Sequence, residues 1–237
     1  MRILVIDVGG THVKLLATGR AERVKLDSGP TLTPARMVAV VQEATRGWEY
    51  DVVSVGYPGP VRDGRAAREP RNLGPGWAGF DFAAALGRPT RVVNDAAMQA
   101  LGSYDGGRML FLGLGTGLGS ALVVDGIVQP LELAHLPYRR GRSFEDYVGA
   151  AGLERLGRRR WRRFVGDVVA RLLEATQVDY VVLGGGNVKR LDALPPGARR
   201  GDNANAFVGG FRLWEAARGA PGTPMAVTGS GDPVAAR

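Results

Sequence analysis

The hydrophobic residues near the start of the chain fall into short runs that a glycine pair interrupts. Residues 2–8 (RILVIDV) are mostly apolar and β-branched, which predicts a buried strand. Residues 13–17 (VKLLA) predict a second strand, and the turn at 9–11 separates the two. Two strands joined by a glycine-rich turn predict a β-hairpin, which a third strand at 23–26 extends.

The same pattern recurs in the second half of the chain. Residues 109–114 and 120–124 predict two strands, and a Gly-Thr-Gly turn at 115–117 lies between them. The dipeptide Asp125-Gly126 then predicts a tight hairpin turn. This strand–turn–strand unit is the only internal repeat that we find in the sequence.

The remaining pattern alternates helices with strands. A helix opens at Pro34, because proline is tolerated at a helix start, and a Gly-, Pro- and Arg-rich segment predicts a long loop over 62–79. Further helices are predicted at 80–86, 96–104, 143–176 and 204–217, and further strands at 52–57, 91–93 and 178–183. The alternation indicates an α/β fold, and the small-residue tail at 219–237 is predicted to be disordered.

Composition narrows the classes of function. The 237 residues include no cysteine, which excludes a disulfide framework, a cysteine nucleophile and a thiolate zinc site. The apolar start of the chain lacks the longer core and cleavage site of a signal peptide. No stretch reaches the ~20 apolar residues of a membrane span. We therefore expect a cytoplasmic protein without a membrane partner.

Positive charge is concentrated in one segment. The net charge is +8, and six arginines fall within residues 155–163. A basic surface attracts polyanions such as nucleic acid, an acidic membrane face or polyphosphate. The same cluster fits a solvated helix face equally well, so composition leaves both interpretations open. A nucleic-acid binder needs stacking platforms or a recognised module, and we find neither, so we expect no nucleic-acid partner.

Three glycine-containing turns are candidates for phosphate binding, because glycines let several backbone N–H groups converge on phosphate oxygens. The residues involved are Asp7, Gly9, Gly10 and Thr11; Gly115, Thr116 and Gly117; and Gly184, Gly185 and Gly186. The carboxylate of Asp7 can also hold Mg²⁺, often through water. Each motif alone is compatible with an ordinary turn, but two facing hairpin turns would clamp a phosphate chain.

Other side chains are candidates for catalysis and sugar binding. Asp95 follows a strand and opens a helix, where it suits a general base, with Asn94 orienting the attacking hydroxyl. Aspartate is also a favoured helix N-cap, which is the structural alternative. Glu132 and His135 can both hydrogen-bond sugar hydroxyls, although a structural role also fits the histidine. Glu145 fits a sugar contact or a first-turn helix carboxylate.

Taken together, the motifs carry a family resemblance. The strings IDVGGTHVK, VGYPGPV, NLGPGW, VVNDA, LGLGTGLGSALVVDG, ELAH and VVLGGG occur in one order, and the resemblance spans about residues 3–214. The sequence resembles the ROK family of sugar kinases, and is most similar to its short polyphosphate-type glucokinases. The resemblance implies an α/β fold of the actin/hexokinase-like (ribonuclease H-like) type, with two lobes and a cleft between them.

The resemblance also implies a role for each motif. The turns at 9–11 and 115–117 match phosphate motifs, the turn at 184–186 matches the nucleotide-side motif, and Asp95 matches the catalytic base. The residues that match sugar contacts are Gly59, Asn94, Asp95, Glu132, His135 and Glu145. The implied reaction transfers a phosphoryl group from polyphosphate or ATP to a hexose, as in glucose to glucose 6-phosphate, with Mg²⁺ as cofactor.

Two of the departures from the family pattern concern the zinc motif and the sugar-side element. Residues 139–143 replace a cysteine-rich zinc motif, a loss shared by the polyphosphate-type members, so we expect no zinc site. Ala134 replaces a glycine of the sugar-side element. The alternative function is a catalytically inactive sugar-binding or regulatory protein. A sugar-responsive repressor would carry a helix-turn-helix domain before the first strand, for which we expect no room.

We expect the chain to be divided between two lobes. The N-terminal lobe is predicted to comprise residues 1–95 and 204–218, and the C-terminal lobe residues 96–203. The sugar would lie at the bottom of the cleft, with the phosphate donor above it. The sequence leaves the oligomeric state open, including a homodimer.

Overall fold

Two five-stranded sheets with helices packed around them make up residues 1–215, the part of the chain that the computed structural model describes. The predicted α/β class is therefore confirmed. The last predicted helix is described as far as Glu215, and the predicted disordered tail at 219–237 lies outside the described residues. The lobe boundaries at residues 95 and 203 remain a prediction.

The first half of the chain builds the first sheet. Its elements are β1 (Ile3–Val8), β2 (His12–Ala17), β3 (Val24–Asp27), α1 (Pro34–Ala44), β4 (Val52–Tyr57), β5 (Val61–Arg62), β6 (Arg65–Ala66), α2 (Phe82–Leu86) and β7 (Thr90–Asn94). The sheet order is β3-β2-β1-β4-β7, and β5 and β6 form a separate short hairpin. Because β1, β4 and β7 are parallel, their carboxyl ends meet at one edge of the sheet.

The second half builds the second sheet. Its elements are α3 (Asp95–Ser103), β8 (Arg108–Leu114), β9 (Leu118–Val124), β10 (Ile127–Leu131), β11 (Pro137–Arg139), β12 (Arg142–Ser143), α4 (Glu145–Val148), α5 (Ala150–Thr176), β13 (Tyr180–Gly184), β14 (Ala198–Arg200) and α6 (Asn205–Glu215). The sheet order is β10-β9-β8-β13-β14. β8 pairs antiparallel with β9 and parallel with β13, so this sheet repeats the hairpin arrangement of the first.

The start of α1 and both ends of β4 lie where the sequence predicts them, because local residues determine these bounds. α1 begins at Pro34 because the Thr33 side chain caps it, accepting the N–H of Arg36 at 3.3 Å. Met37 and Val41 lie on one face of α1 and are buried in the core of the first sheet. β4 also has the predicted bounds, and all six of its residues are buried.

Helices α3 and α6 bring the two sheets together. α6 packs on the first sheet, where the Ser54 hydroxyl donates a hydrogen bond to the carbonyl oxygen of Gly210 at 2.6 Å. A Cβ atom on Gly209 would overlap the carbonyl oxygen of Met98, so the backbones of α6 and α3 are in direct contact. α3 also packs against β8 and β9. Its first residue, Asp95, therefore lies at the junction of the two halves.

The segment at 62–79 is more ordered than the predicted loop, since it contains β6 and folds around a buried ring. Trp77 is fully buried. The carboxylate of Glu69 accepts the backbone N–H groups of Trp77 and Ala78, both at 3.1 Å. The hydroxyl of Tyr57 donates to the carbonyl oxygen of Arg68 at 2.7 Å. Burial and the nearby Glu69 charge raise the pKa of Tyr57 well above its usual value.

The single helix predicted over 143–176 is wrong, because the segment forms two helices, α4 and α5. Gly149 has extended backbone geometry between them. A Cβ atom there would lie 2.9 Å from the carbonyl oxygens of both Glu145 and Thr116, so glycine permits this close approach. α5 itself departs from helical geometry at Gly157, where φ is 72° and ψ is 157°.

Candidate active site

Asn94 and Asp95 lie where β7 ends and α3 begins. The helix N-cap is Asn94, whose Oδ1 accepts the N–H of Ala97 at 3.1 Å. Its Nδ2 donates to the carbonyl oxygen of Gly59 at 3.1 Å, which ties the predicted sugar-side loop to the helix start. The alternative in which Asp95 caps the helix is therefore wrong. The contact of Asn94 with a sugar hydroxyl remains a prediction.

Asp95 is a partly buried carboxyl group surrounded by other acidic groups. Burial raises the pKa of Asp95 to about 7, with a further contribution from the charge of Asp7 and a smaller one from Glu132. The N–H of Ala96, which Asp95 accepts at 2.7 Å, partly offsets this rise. A carboxyl group with such a pKa exchanges protons near neutral pH, which suits a general base.

Asp7, one residue before the end of β1, is a buried carboxylate with a cationic partner. It is 5% exposed, and the Lys14 Nζ lies 2.9 Å from its Oδ2. A buried carboxylate needs such a partner, because losing its hydration is costly. Sequence reasoning missed Lys14. In the predicted hairpin, residues at equal distances from the glycine turn lie opposite each other, and this places residue 14 opposite residue 7.

The first turn, which joins β1 to β2, is fixed from two sides. The Ser28 hydroxyl donates to the carbonyl oxygen of Gly9 at 2.6 Å. On the other side Gly10 faces Asn72, and a Cβ atom on Gly10 would lie 3.1 Å from the Cβ of Asn72. Thr11, at the tip, is exposed. The loop that contains Asn72 is therefore in contact with this candidate phosphate site.

The second turn, which joins β8 to β9, lies at the N-terminus of the longest helix. The carbonyl oxygen of Thr116 accepts the N–H of Ala150, the first residue of α5, at 3.1 Å. The start of a helix carries a partial positive charge and free N–H groups, which favour anions. The predicted phosphate turn thus has an anion-binding helix end beside it.

Glu145 packs directly against this second turn. Its Oε2 accepts the N–H of Leu118 at 3.2 Å, and a Cβ atom on Gly117 would overlap the same oxygen. Its Oε1 lies 3.4 Å from Nη1 of Arg71, a residue of the first half of the chain. The structure places Glu145 against the second turn, and its predicted contact with the sugar remains a prediction.

The third turn lies beside the second. Gly185 has a φ of 85°, and a Cβ atom on it would lie 2.6 Å from the carbonyl oxygen of Leu114. The Asn187 Nδ2 donates to the carbonyl oxygen of Gly115 at 3.0 Å, a contact that sequence reasoning missed. An adjacent cavity of about 270 Å³ is lined by Gly185, Gly186, Val188, Lys189, Arg200, Gly201, Asp202 and Asn203. The cavity thus lies beside the third turn, which in turn contacts the second.

Comparisons with known proteins identify the family. The sequence profile of the ROK family matches residues 3–130, more than half of the chain. The chain belongs to the ROK family. A polyphosphate glucokinase of Mycobacterium tuberculosis is 27% identical to it over 213 residues, which cover 81% of this chain and 80% of that protein.

Solved structures agree with this assignment. The inorganic polyphosphate/ATP-glucomannokinase from Arthrobacter sp. strain KM superposes with a TM-score of 0.78 at 25% identity, covering 91% of this chain and 99% of that one. A ROK family glucokinase from Streptomyces griseus, in complex with glucose and AMPPNP, has a TM-score of 0.72 at 17% identity, covering 90% and 99%. The family resemblance and the actin/hexokinase-like fold predicted from the sequence are confirmed.

In this ROK protein, Glu132 and His135 lie together at the surface. Their Oε2 and Nε2 atoms are 3.7 Å apart, and both side chains are exposed. The hydroxyl of Ser120 anchors the segment, donating to the carbonyl oxygen of Leu131 at 2.8 Å and accepting the N–H of Leu133 at 3.1 Å. A structural role inside the core, the alternative for His135, is therefore wrong.

Residues 139–143, where other ROK members carry the zinc motif, belong to the β11–β12 hairpin beside an aromatic cluster. The ring of Tyr138 lies 5.2 Å from that of Phe144 and 5.0 Å from that of Tyr147. The Tyr138 hydroxyl binds Asp167. Within residues 1–215, no group of three or more His, Asp or Glu side chains is arranged to hold a metal. The predicted lack of zinc remains a prediction.

Three of the clustered arginines of α5 have structural partners, and the first, Arg155, donates to the carbonyl oxygen of Asp146 at 2.5 Å. Arg158 and Arg162 donate to the carbonyl oxygen of Arg190 at 2.9 and 2.7 Å, and both bind Asp192. These contacts tie α5 to the segment after the third turn. In the part of the chain that the structure covers, none of the helices combines the length and hydrophobicity that a membrane crossing requires.

Proposed function

We propose that the protein is a sugar kinase that transfers a phosphoryl group from a phosphate donor to a hydroxyl of a hexose. The observation that carries this proposal is Asp95, a carboxyl group with a pKa of about 7 at the start of α3, close to Asp7 of the first turn. The relatives of this protein that are named glucokinases bear out the predicted enzyme class, a phosphotransferase with an alcohol group as acceptor.

In the proposed reaction, Asp95 accepts the proton of the sugar hydroxyl as the hydroxyl oxygen attacks the terminal phosphorus of the donor. The bond between that phosphorus and the bridging oxygen breaks, giving a sugar phosphate and a donor shortened by one phosphate. Backbone N–H groups of the first and second turns, together with the N-terminus of α5, stabilise the negative charge on the transferred group.

A divalent cation belongs to this proposal, and Mg²⁺ is our specific choice. Mg²⁺ is commonly held by one or two carboxylates together with water and substrate phosphates. Asp7 fits this role, because Lys14 binds its Oδ2 whereas its Oδ1 accepts no hydrogen bond within residues 1–215. When bound, the cation supplies positive charge that neutralises the phosphate oxygens.

For the acceptor we propose glucose, phosphorylated at its 6-hydroxyl. The names of the relatives support a hexose of this kind. Five side-chain or loop positions are proposed to contact the sugar around Asp95, and these are Gly59, Asn94, Glu132, His135 and Glu145. Of these, Asn94 binds Gly59 directly, and Glu132 is near enough to affect the pKa of Asp95.

For the donor we propose that polyphosphate is used at least as well as ATP. The first support is that two of the relatives described above are named for polyphosphate or for both donors. The second is the net charge of +8, with six arginines in residues 155–163 of the half that carries the second and third turns. We also propose a cytoplasmic location, in keeping with the sequence-based expectation.

An assay that crosses acceptors with donors tests the proposal. Purified protein would be incubated with Mg²⁺ and with glucose, mannose, fructose or N-acetylglucosamine, each with ATP or with polyphosphate. We expect glucose 6-phosphate with polyphosphate, and product with ATP at a comparable or lower rate. An absence of product from every combination, in a protein that still binds sugar, would favour the inactive sugar-binding alternative.

A further inference from the structure

One ion pair connects the two halves of the molecule next to the proposed site. It joins Arg71 to Glu145, with Nη1 3.4 Å from Oε1. The Arg71 side chain is 78% exposed, whereas that of Glu145 is 29% exposed. Neither residue is near the other in sequence, so the pair exists only because the fold brings the loop after β6 to the start of α4.

The backbone around Arg71 is held in place although its side chain projects outward. Glu69 accepts the N–H groups of Trp77 and Ala78, both at 3.1 Å, which closes the loop on itself. The N–H bonds also hold the pKa of Glu69 below its usual range, so this carboxylate stays ionised near neutral pH. Arg71 therefore extends from a fixed base.

The ion pair lies between the first and second turns, which are two of the candidate phosphate sites. On one side, Asn72 lies against Gly10 of the first turn. On the other, the second oxygen of Glu145 accepts the N–H of Leu118 at 3.2 Å and lies against Gly117 of the second turn. A continuous chain of contacts thus runs from the first turn through Arg71 and Glu145 to the second.

The chemistry of the pair suits orientation more than stability. An exposed ion pair contributes about 0–1 kcal/mol to folding, because water screens it. A guanidinium group, however, always carries its charge and offers several donors in a fixed plane, so it can fix the direction of a carboxylate. With Leu118 and Arg71 each binding one oxygen, the carboxylate of Glu145 is held at both ends. The remaining lone pairs of these oxygens can accept hydrogen bonds from sugar hydroxyl groups.

We propose that Arg71 is a positioning residue for sugar binding, which orients the Glu145 carboxylate from the opposite half of the molecule. This inference rests on the proposed function, since it takes Glu145 as a sugar contact. Arg71 adjoins the first turn and Glu145 adjoins the second. The orientation of the Glu145 carboxylate, and with it sugar binding, therefore depends on the positions of both turns. The side chain itself touches neither the base nor the transferred group.

The test compares Arg71→Gln with Arg68→Gln, an exposed arginine of the same loop that loses the same charge. Sugar KM and kcat are measured at saturating donor, and sugar Kd is measured by calorimetry without donor. For Arg71→Gln we expect sugar KM and Kd to rise by about 3- to 10-fold, with kcat within about twofold. The reason is that the lost interaction stabilises the bound sugar equally in the ground state and in the transition state. Arg71→Lys should recover part of the affinity, and Arg68→Gln should match the wild type.

A double substitution separates positioning from a general charge effect. In a Glu145→Gln background, Arg71→Gln should change sugar Kd by less than about twofold, because residues that act through one contact are not additive. Full additivity, or equal behaviour of Arg71→Gln and Arg68→Gln, would overturn the inference. So would a fall in kcat at unchanged KM, which would place Arg71 on the transferred group. If the wild type makes no sugar phosphate, the proposed function fails, whereas sugar Kd still decides the role of Arg71.

Discussion

The two glycine/threonine turns use the same residue types in the same strand–turn–strand setting, yet the structure supports them differently. The first turn is held within its own half, by Ser28 and by the contact between Gly10 and Asn72, and it has an Asp7–Lys14 pair at its base. The second turn is also held within its own half, but by partners of a different kind. Its partners are the N-terminus of α5, Glu145 and Asn187.

This difference indicates a division of labour between the turns. The first carries ionised side chains, which suit a cation and the acidic surroundings of Asp95. The second lies at a helix N-terminus and contacts the third turn, which lines the cavity, and this setting suits a phosphate donor. A repeat that looks symmetrical in sequence therefore has two different settings in the structure, because contacts from elsewhere in the chain distinguish its two copies.

The largest expected effect comes from replacing Asp95, the proposed base, which lies at the junction of the two halves. Asp95→Asn should lower kcat by at least ~100-fold, the low end for one general base, because an amide cannot accept the proton. Sugar Kd, measured by calorimetry, should stay within a few-fold of the wild type. Asp105→Asn, an exposed carboxylate in the loop after α3, is the matched control. If Asp95→Asn retains turnover within a few-fold of the wild type, the base is misassigned.

The pKa of Asp95 predicts how activity depends on pH. With a pKa of about 7, the ionised base should be half-formed near pH 7 and reduced to about a tenth at pH 6, and kcat/KM should follow it. The folded-state pKa exceeds the unfolded value of about 3.9, so this group stabilises the fold at low pH and loses that contribution as pH rises through 7. Hence the Tm of the wild type, relative to Asp95→Asn, should fall between about pH 4 and 7 and level off above pH 7. A pH-independent kcat/KM between pH 6 and 8 would contradict this assignment.

A smaller effect is expected from crowding the second turn. In Gly117→Ala the new methyl group meets Glu145, whereas in Gly115→Ala nothing lies within 4 Å of it. Overpacking costs at least about 1 kcal/mol, so Gly117→Ala should raise sugar KM by about fivefold or more. Gly115→Ala is the control for the loss of a glycine from the same turn. Equal sugar KM values in the two variants would mean that Glu145 does not respond to this turn.

Much of the fold was predictable because its signals are local. Pro34 and the capping Thr33 define the start of α1, and the Gly9-Gly10 pair defines the first hairpin. The break at Gly149 was not predictable, since it depends on the carbonyl oxygens of Glu145 and Thr116, which only the folded chain brings there.

The candidate site divides in the same way. Its glycine turns and Asp95 are visible in the sequence, as motifs at strand ends. Arg71 and Asn187 were not, because each acts on a residue more than 70 positions away. The sequence predicts Asn94 as a sugar ligand, whereas its role as helix cap is visible only in the backbone geometry.

The smallest expected effect concerns the charge beside the donor site. Arg158 and Arg162 bind Asp192 and so support the segment after the third turn, which makes them unsuitable for testing charge alone. Arg159 and Arg163 are one helical turn apart and exposed, and neither forms an ion pair within residues 1–215. They are therefore the cleaner probe of a basic track for polyphosphate.

We expect Arg159→Gln combined with Arg163→Gln to raise the polyphosphate KM by about two- to threefold, while sugar KM and ATP KM change little. Attraction between a polyanion and exposed charges is screened over about 8–10 Å at physiological salt, so the polyphosphate KM of the wild type should also climb more steeply with salt than its ATP KM. Arg36→Gln with Arg62→Gln removes the same charge from exposed positions in the first half and serves as control. If ATP supports turnover, polyphosphate does not, and both double variants behave alike, the arginines only coat a helix and the second turn serves ATP.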